Sequence, residues 1–374
     1  MSTGKICFIA SGNPFRFPYL SIYEEACFHS GRSWEKHLVY WDREGSPEEP
    51  EGYECHVFEG AIRANSNPFA LLRGYCGYWR YVNSVLRCGR FDKVVLLNTP
   101  AGYTAFPTVS DLYAGRYVLD VRDYGGENHL LLRAIEKRII DNAKLTCISS
   151  PYYRSFLPDF HYEEVHNLQE APHDVVASIR SSYRPDKTEL TIGFIGSVDA
   201  YIDQHMKLID VFGNDKRFRL FFCGSGAEKL QPYCDEMGIN NVILHGRFDP
   251  QEIFALHSEV DIIHNLYGNH NPYLDYALSN KLYLAAQFRM PILTCPDTAM
   301  ADQAEKLMLG ITVDLDGRGA YGTEADAESI CDYVYRAWHD VDRGNLEVAC
   351  DAFLEDCRRA NERYQALLLG FLDE

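Results

Sequence analysis

Residues 191–200 read TIGFIGSVDA, a short apolar run that ends at Gly196-Ser197 and leads into a helical pattern. A buried strand, a glycine turn and a helix in this order form one unit of a doubly wound parallel sheet. Similar glycine-bearing strand ends recur in FFCGSG (221–226) and LHGRF (244–248). Glycine permits close backbone approach, and the following helix offers N–H groups to an anion. Such turns on one sheet edge favour a phosphate-bearing ligand, although α/β loops also use glycine simply to turn.

The same alternation of short apolar strands and longer amphipathic segments runs through almost the whole chain. Helical patterns between many of the strands predict an α/β protein with doubly wound, Rossmann-like sheets. The predicted strands are Ile6–Ala10, His37–Trp41, Lys93–Leu97, Arg116–Val121, Leu145–Ser149, Leu190–Ile195, Phe218–Cys223, Val242–His245, Val260–His264 and Pro291–Cys295.

A polar segment, HNLQEAPHDVVASIRSSYRPDKTE at 166–189, divides this pattern into two halves and is typical of an interdomain linker. For 374 residues, two domains are expected. We predict an N-terminal domain over 1–170 and a C-terminal domain over 186–345. The helical run 346–374 is expected to return to the first domain. In sheets of this kind, ligands bind beyond the carboxyl ends of the strands, here in a cleft between the domains.

Composition and charge exclude several function classes. The chain has 54 acidic and 36 basic side chains, and the net charge of −18 argues against general nucleic-acid binding. Its 12 cysteines are scattered singly, without the spacing of a zinc site or a disulfide framework. This predicts reduced thiols in a cytoplasmic protein. No apolar run approaches a membrane-spanning length, and the N-terminal segment lacks a secretory layout.

Residues 278–293, LSNKLYLAAQFRMPIL, place Lys281 in the first turn of a helix that begins at Ser279 and Asn280. A cation is unfavourable at that end by a few tenths to about 1 kcal/mol when exposed. A bound diphosphate would reverse the sign, because lysine and helix N–H groups would share one anion. The alternative is a solvated lysine paired with Asp275. Arg247, in the loop after LHG, is a second candidate phosphate ligand.

The order of these motifs resembles the two-domain glycosyltransferases of GT-B architecture, and within them the large retaining family four. The resemblance covers nearly the whole chain. YVLDVRDY (117–124) resembles the family's acidic strand end, and EEVHNL (163–168) its entry into the second domain. The segments that are similar to its helix, its sheet edges and its lysine signature are RAIEKRIIDNAKLTCISSPYYRSFL (133–157), IGFIGS (192–197), FFCGSG, HGRF (245–248) and SNKLYLAAQFRMPIL (279–293).

The chain departs from the family at several positions. Ser197 and Ile202 stand where the family has an Arg and a Lys that hold the donor diphosphate. Leu284 replaces a ribose-binding Glu, and Tyr276, beside Asp275, replaces the earlier acidic residue of the same pair. The ribose contact and part of the phosphate clamp are therefore expected to differ, which leaves Lys281 and Arg247 as cationic candidates.

The resemblance implies that the second domain binds a nucleotide-sugar donor and the first an acceptor, by a retaining, metal-independent reaction without a further cofactor. It implies catalytic roles for Lys281, Arg122 and Asp123, although Arg122 and Asp123 can equally form a local ion pair. Gly12 and Asn13 lie on the acceptor side. The implied donor-binding residues are Gly196, Ser197, Gly224, Ser225, Arg247, Asn271, Tyr273, Ser279, Asn280 and Lys281.

One stretch of the first half, 67–91, is a basic island. Between Glu59 and Asp92 there are five arginines and no acidic residue. Arg73, Arg80 and Arg87 recur on one helical face. A second face, expected to pack, carries Leu72, Tyr75, Trp79, Val82 and Leu86. The helix either packs with a basic outer side, or meets anionic lipid or a lipid-diphosphate acceptor through Arg73 and Arg80.

The sequence thus predicts a glycosyltransferase that moves a sugar from a nucleotide-sugar to a saccharide or lipid-linked acceptor. The family suggests bacterial surface polysaccharide synthesis, in the cytoplasm and at the inner face of the membrane. Two alternatives remain: a sugar-nucleotide epimerase on the same fold, and a catalytically silent binding or scaffold subunit, which Ser197, Ile202 and Leu284 motivate.

Overall fold

A computed structural model of the 374-residue chain describes residues 3–60, 68–315 and 327–374. The chain divides into two compact units. Unit 1 combines Met1–His166 with Arg358–Glu374, and unit 2 spans Asn167–Cys357. Each unit contains one parallel sheet with helices, so the predicted α/β class with two Rossmann-like sheets is confirmed.

The sheet of unit 1 has seven parallel strands in the order β3-β2-β1-β4-β5-β6-β7. The central strands β1, β4 and β5 are almost entirely buried, because helices cover both faces of such a sheet. The strands are β1 (Thr3–Ala10), β2 (Ser33–Asp42), β3 (Tyr53–Glu59), β4 (Lys93–Leu96), β5 (Tyr117–Val121), β6 (Leu145–Ile148) and β7 (Glu163–Glu164).

Five helices connect these strands. They are α1 (Leu20–His29), α2 (Pro68–Gly89), α3 (Thr99–Ala105), α4 (Thr108–Leu112) and α5 (Leu130–Asn142). The N-terminus of α3 is capped by Asn98, whose Oδ1 accepts a hydrogen bond of 2.8 Å from the Ala101 N–H.

Helix α2 packs on unit 1 with a narrower face than the sequence pattern predicts. Tyr78, Val82 and Leu86 are buried, as one helical face requires. The expectation that Leu72, Tyr75 and Trp79 pack equally well is wrong, because their exposed fractions are 61%, 42% and 39%. Tyr75 contacts the Trp41 ring, and Trp79 Nε1 donates to the Phe106 carbonyl oxygen over 2.6 Å. The N-terminal half of α2 therefore presents apolar side chains at the surface. Asn67, at the start of the predicted island, lies outside the described residues.

The sheet of unit 2 has six parallel strands in the order β10-β9-β8-β11-β12-β13. The predicted bounds of β8, β9 and β10 coincide with the observed ones. The strands are β8 (Leu190–Ile195), β9 (Phe218–Cys223), β10 (Val242–His245), β11 (Ile262–Asn265), β12 (Ile292–Thr294) and β13 (Gly310–Thr312).

Helices surround this second sheet, and one of them lies within the predicted linker. Helix α6 buries Ile179, and Arg180 Nε donates to the Gln287 carbonyl oxygen over 2.9 Å, so α6 packs on unit 2. The helices are α6 (His173–Ser182), α7 (Ile202–Phe212), α8 (Gln231–Met237), α9 (Ile253–Leu256), α10 (Pro272–Asp275), α11 (Asn280–Phe288), α12 (Ala299–Lys306), α13 (Ala327–His339) and α14 (Arg343–Asp373).

The last helix, α14, begins in unit 2 and ends in unit 1, as expected for a returning C-terminal helix. In unit 1 its residues Tyr364, Leu368 and Phe371 are buried in the same apolar cluster as Phe8 and Tyr23. Within the described ranges, no helix combines the length and the apolar character needed to cross a bilayer.

Strands β3, β7 and β13 were not predicted from the sequence. Strand β3 reads YECHVFE at the edge of its sheet, and none of its side chains is fully buried. Strands β7 and β13 have only two and three residues. Short strands and edge strands bury too little apolar surface to leave a periodic pattern.

A buried ion pair between Arg122 and Asp120 anchors the end of β5 in unit 1. Arg122 Nε and Nη2 donate to the two Asp120 carboxylate oxygens over 2.6 and 2.9 Å. The Tyr23 hydroxyl donates to Asp120 Oδ2 over 2.8 Å, and the guanidinium lies 4.3 Å from the Tyr19 ring centre. Burial alone would lower the pKa of Arg122, but the adjacent Asp120 carboxylate outweighs it and raises that pKa. The predicted local pair of Arg122 with Asp123 is therefore wrong.

Replacing Asp120 by Asn would leave the Arg122 charge buried without its counter-charge. We expect the Asp120→Asn variant to lose about 3–5 kcal/mol of unfolding free energy in urea titrations. The matched variant Asp123→Asn, at an exposed position, should change it by less than about 0.5 kcal/mol. Equal losses in the two variants would contradict the assignment.

Candidate functional site

The topology of unit 2 indicates where a ligand would bind. Strands β8 and β11 are neighbours in the sheet, although β9 and β10 separate them in the sequence. The strand order reverses at this point, and doubly wound sheets bind ligands there, beyond the carboxyl ends of the strands. The loops that follow β8 to β11 begin at Gly196, Gly224, Gly246 and Leu266.

Two of these loops pack tightly against each other through glycine. A Cβ atom on Gly224 would lie 1.7 Å from the Gly196 carbonyl oxygen, and one on Gly226 would lie 2.5 Å from Asp199 Cβ. Both glycines also have positive φ, 137° and 81°. Packing between the loops therefore requires glycine at both positions whether or not a ligand binds. This agrees with the alternative that α/β loops use glycine simply to turn.

The contact between the loops assembles a polar cluster. The Ser197 and Ser225 hydroxyl oxygens are 3.1 Å apart, and Ser197 Oγ donates to Asp199 Oδ1 over 3.1 Å. Lys229 Nζ lies 3.3 Å from Asp199 Oδ2. Hydrogen bonds from Lys229 and Ser197 lower the pKa of Asp199. The backbone N–H groups of Ser197 and Ser225 donate to no oxygen of the described residues, so they are open to a ligand.

Lys281 is buried beside these loops. Its side chain donates from Nζ to the Ile195 carbonyl oxygen over 3.0 Å, at the end of β8. The ammonium lies 4.3 Å from the Phe194 ring centre and 5.7 Å from that of Tyr267. A Cβ atom on Gly196 would lie 3.5 Å from Nζ. The alternative of a solvated lysine paired with Asp275 is wrong, because the exposed fraction of Lys281 is 8%.

The charge of Lys281 has no carboxylate partner among the described residues. The nearby buried histidines cannot supply a negative charge. His205 Nδ1 and His264 Nε2 are 3.0 Å apart, so these two rings interact with each other. Burial lowers the pKa of His205 to about 4 and that of His264 well below its ordinary value, so both rings are neutral at pH 7. A buried charge without a counter-charge is unfavourable, and a bound anion would compensate it.

Cap residues position Lys281. Ser279 is the N-cap of α11, and its Oγ accepts a hydrogen bond of 3.3 Å from the Lys281 N–H. Helix α11 is buried along almost its whole length, with Asn280 exposed at its first position. Asn271 likewise caps α10, where its Oδ1 accepts from the Tyr273 N–H over 3.1 Å. The structure thus gives Ser279 and Asn271 local structural roles and leaves Tyr273 exposed.

Two further side chains border the same sheet edge. Arg247 follows β10, is exposed, and forms no ion pair with any described residue. Asp275, in α10, has a buried carboxylate oxygen, Oδ1, without a hydrogen-bond partner among the described residues. Leu284, which stands where the resembling family has a ribose-binding Glu, is buried and apolar.

In unit 1 the strand order reverses between β1 and β4, so the corresponding sheet edge lies beyond these strands. The loop after β1 carries Gly12 and Asn13, both buried. Asn13 Nδ2 donates to Asp42 Oδ1 over 3.1 Å and to the Ser46 carbonyl oxygen over 3.3 Å. Asn13 therefore holds two loops together.

Asp123 stands beyond the end of β5, one residue after the buried Arg122, and its side chain is exposed. Desolvation by the surrounding protein and the charge of Asp120 raise the pKa of Asp123, although Arg122 acts against them. A raised pKa makes a carboxylate a stronger base. Of the two predicted catalytic residues of unit 1, only Asp123 is free to meet a ligand.

A cavity of about 580 Å³ adjoins the carboxyl ends of β2 and β3 in unit 1. Arg73 and Arg80 of α2 both line it, together with Trp41 and Phe58. The structure therefore brings together two arginines predicted for the acceptor side. The aromatic members were not predicted, because strand β3 was missed and Trp41 was assigned to a core strand.

Solved structures share the fold of this chain. Sucrose-phosphate synthase from Thermosynechococcus elongatus matches with a TM-score of 0.64 and 13% identity, over 98% of this chain and 100% of that chain. Anabaena HepE in complex with UDP and glucose matches with a TM-score of 0.62 and 13% identity, over 98% and 99%. WaaG, a glycosyltransferase involved in lipopolysaccharide biosynthesis, matches with a TM-score of 0.60 and 13% identity, over 98% and 99%.

A UDP-N-acetylglucosamine 2-epimerase also matches, with a TM-score of 0.52 and 7% identity, over 93% of this chain and 91% of that chain. Neither a family model nor a curated protein matches the sequence. The chain therefore has the fold of the GT-B glycosyltransferases, and an assignment of activity depends on the site.

The unpaired charge of Lys281 has a measurable consequence for stability. Replacing Lys281 by Met keeps an unbranched side chain, one atom shorter than lysine, and removes both a buried charge that lacks a counter-ion and its hydrogen bond to the Ile195 carbonyl oxygen. We expect the Lys281→Met variant to match or exceed the unfolding free energy of the wild type, by up to about 1 kcal/mol in urea titrations. The control Lys229→Met removes an exposed lysine that is paired with Asp199. A loss above about 2 kcal/mol in Lys281→Met alone would show that the charge is needed for folding.

Proposed function

We propose that the protein is a glycosyltransferase that takes its sugar from a nucleotide-diphosphate donor bound to unit 2. The observation that carries this proposal is the buried, unpaired ammonium of Lys281 beneath the glycine turn after β8. A diphosphate at this point would supply the missing counter-charge. The fold of HepE, whose structure holds UDP and glucose, supports the same ligand class.

In this proposal, backbone and side chains share the diphosphate. The open N–H groups of Ser197 and Ser225 donate to phosphate oxygens, and Lys281 and Arg247 neutralise their charge. The acceptor hydroxyl attacks the anomeric carbon while the bond from that carbon to the β-phosphate oxygen breaks. Negative charge then grows on the leaving diphosphate, where Lys281 stabilises it.

The hydroxyl proton goes to the leaving phosphate oxygen or to Asp123, whose raised pKa suits a proton acceptor. Retention of configuration and independence from metal follow the family resemblance. Arg122 has no part in this step, because its guanidinium is committed to Asp120 in the core.

The nucleoside must be held differently from the family pattern, because Leu284 provides no carboxylate. We propose that Asp275 takes this role. Its unpartnered Oδ1 can accept a hydrogen bond from a ribose hydroxyl, and a buried acceptor without a donor costs about 1–3 kcal/mol until a ligand satisfies it.

The acceptor site proposed for unit 1 is the cavity lined by Arg73, Arg80, Trp41 and Phe58. Arginines suit an anionic group, and aromatic rings suit the apolar face of a sugar or a lipid. The exposed Leu72 and Trp79 on the same helix, α2, favour contact with an anionic membrane. These features fit a saccharide or lipid-linked acceptor. They also fit a location at the cytoplasmic face of a membrane and a role in surface polysaccharide synthesis.

A sugar-nucleotide epimerase is the second candidate, because one solved structure with this fold is such an enzyme. It would bind the same donor through Lys281 but form product without an acceptor. A silent scaffold subunit would release no nucleoside diphosphate. Assaying UDP release and sugar isomerisation with and without acceptors separates the three activities.

Donor binding is tested by thermal-shift titration with UDP-, GDP- and ADP-sugars, and with CMP-sugars, which lack a diphosphate, as the comparison. We expect one class to raise the melting temperature of the wild type. The Lys281→Met variant, which remains folded, should lose at least about tenfold in affinity, equivalent to about 1.4 kcal/mol. The control Lys216→Met, at an exposed position before β9 on the opposite edge of the sheet, should bind like the wild type. An unchanged donor affinity in Lys281→Met, or no stabilisation by any donor, would contradict the proposal.

Membrane contact is tested by co-sedimentation with phosphatidylglycerol vesicles. Replacing Arg73, Arg80 and Arg87 by Glu reverses three exposed charges on α2, each worth about 1 kcal/mol at an anionic surface. We expect binding to fall at least tenfold. A triple replacement of Arg133, Arg138 and Arg154, elsewhere on unit 1, controls for net charge, and an equal loss there would remove α2 as the contact.

A further inference from the structure

Strands β2 and β3 bring three potential metal ligands to one point at the edge of the unit 1 sheet. Paired strand positions set His37 opposite Glu54, and His56 opposite Val39, so the three side chains share one face. His37 Nδ1 lies 3.1 Å from His56 Nε2. Glu54 carboxylate oxygens lie 3.6 Å from His37 Nδ1 and 3.8 Å from His56 Nε2.

The two separations to Glu54 fit a shared ion better than direct hydrogen bonds, whereas the 3.1 Å between His37 Nδ1 and His56 Nε2 is within hydrogen-bonding distance. Bonds of about 2.0–2.1 Å to a tetrahedral Zn²⁺ place neighbouring ligand atoms about 3.3–3.5 Å apart. The Glu54 oxygens are beyond hydrogen-bonding distance from both rings, yet they lie beside both ring nitrogens. A small shift of the half-exposed His56 and exposed Glu54 would bring all three atoms to an ion.

The surroundings of His37 match those of a metal-bound histidine. Its second nitrogen, Nε2, lies 3.0 Å from Glu35 Oε1, and Lys5 Nζ lies 2.8 Å from the same oxygen. A carboxylate that accepts the Nε2 proton leaves the Nδ1 lone pair directed at the cluster. Glu35 would thus fix the tautomer, and Lys5 would hold Glu35 in place.

We propose that His37, His56 and Glu54 bind one divalent transition-metal ion, Zn²⁺ by ligand type, with a fourth position open to water on the Glu54 side. His37 and Glu54 lie in the amino-terminal halves of β2 and β3, and His56 lies at the middle of β3, so the ion would join edge strand β3 to β2.

The sequence alone does not reveal this site, and the absence of paired cysteines predicts no metal. His37 and Glu54 are distant in sequence, and only the pairing of β2 with the unpredicted strand β3 brings them together. The donor-side reaction proposed above is independent of this ion.

The test uses the full chain with the exposed thiols removed by Cys76→Ser and Cys88→Ser, so that they cannot bind metal. Co²⁺ titration followed by its ligand-field absorption reports nitrogen ligation and stoichiometry, and Zn²⁺ should displace the Co²⁺. We expect one tightly bound ion and a higher melting temperature with ZnCl₂. His56→Ala should abolish both effects, and Glu35→Gln should weaken binding about tenfold.

The matched control is His161→Ala, because His161 also pairs with a glutamate, Glu163, at 2.7 Å on unit 1. This control should bind Co²⁺ like the wild type. If His56→Ala binds Co²⁺ with unchanged affinity and spectrum, or if the parent protein binds no ion, the proposal is wrong. Circular dichroism of His56→Ala and Glu54→Gln confirms that any loss is not due to unfolding.

Discussion

The central constraint in unit 2 is a positive charge buried without a partner. Lys281 lies in the first turn of a buried helix, donates to the last carbonyl of β8, and contacts aromatic rings instead of carboxylates. The hydrogen bond to the Ile195 carbonyl oxygen and the contacts with aromatic rings leave this ammonium without a counter-ion. An anionic ligand would supply that counter-ion. The glycine loops, the capped helix start and the open backbone N–H groups converge on the same strand ends.

Unit 1 places its charges differently. Arg122 and Asp120 form a closed, buried pair that serves packing, whereas Asp123 and the arginines of α2 remain at the surface. Alternation along the chain contains this distinction. Residue 122, the first after β5, continues the alternation and lies on the same side as residue 120, whereas residue 123 is one position further on. That signal was present in YVLDVRDY, but the family motif drew attention to the adjacent pair.

The fold is predictable from the sequence because each buried parallel strand appears as a short run of apolar residues. The bounds of β8, β9 and β10 follow directly from apolar runs that end in glycine. Edge strand β3 and the surface of α2 were misjudged, because partial burial depends on which neighbours cover a segment. Lys281 and the glycine turns of the candidate site are recognisable in the sequence. The burial of Lys281, the aromatic rings around it and the role of Asn13 as a loop tie required three-dimensional structure.

The most direct measurement of the central claim is isothermal titration calorimetry on the wild type and on Lys281→Met with a nucleoside, its monophosphate and its diphosphate. The base is that of the donor class that stabilises the wild type in the thermal-shift titration. If Lys281 binds the diphosphate, affinity should rise steeply with each phosphate in the wild type, and much of this rise should disappear in the variant. An identical dependence on phosphate number in the two proteins would contradict the account.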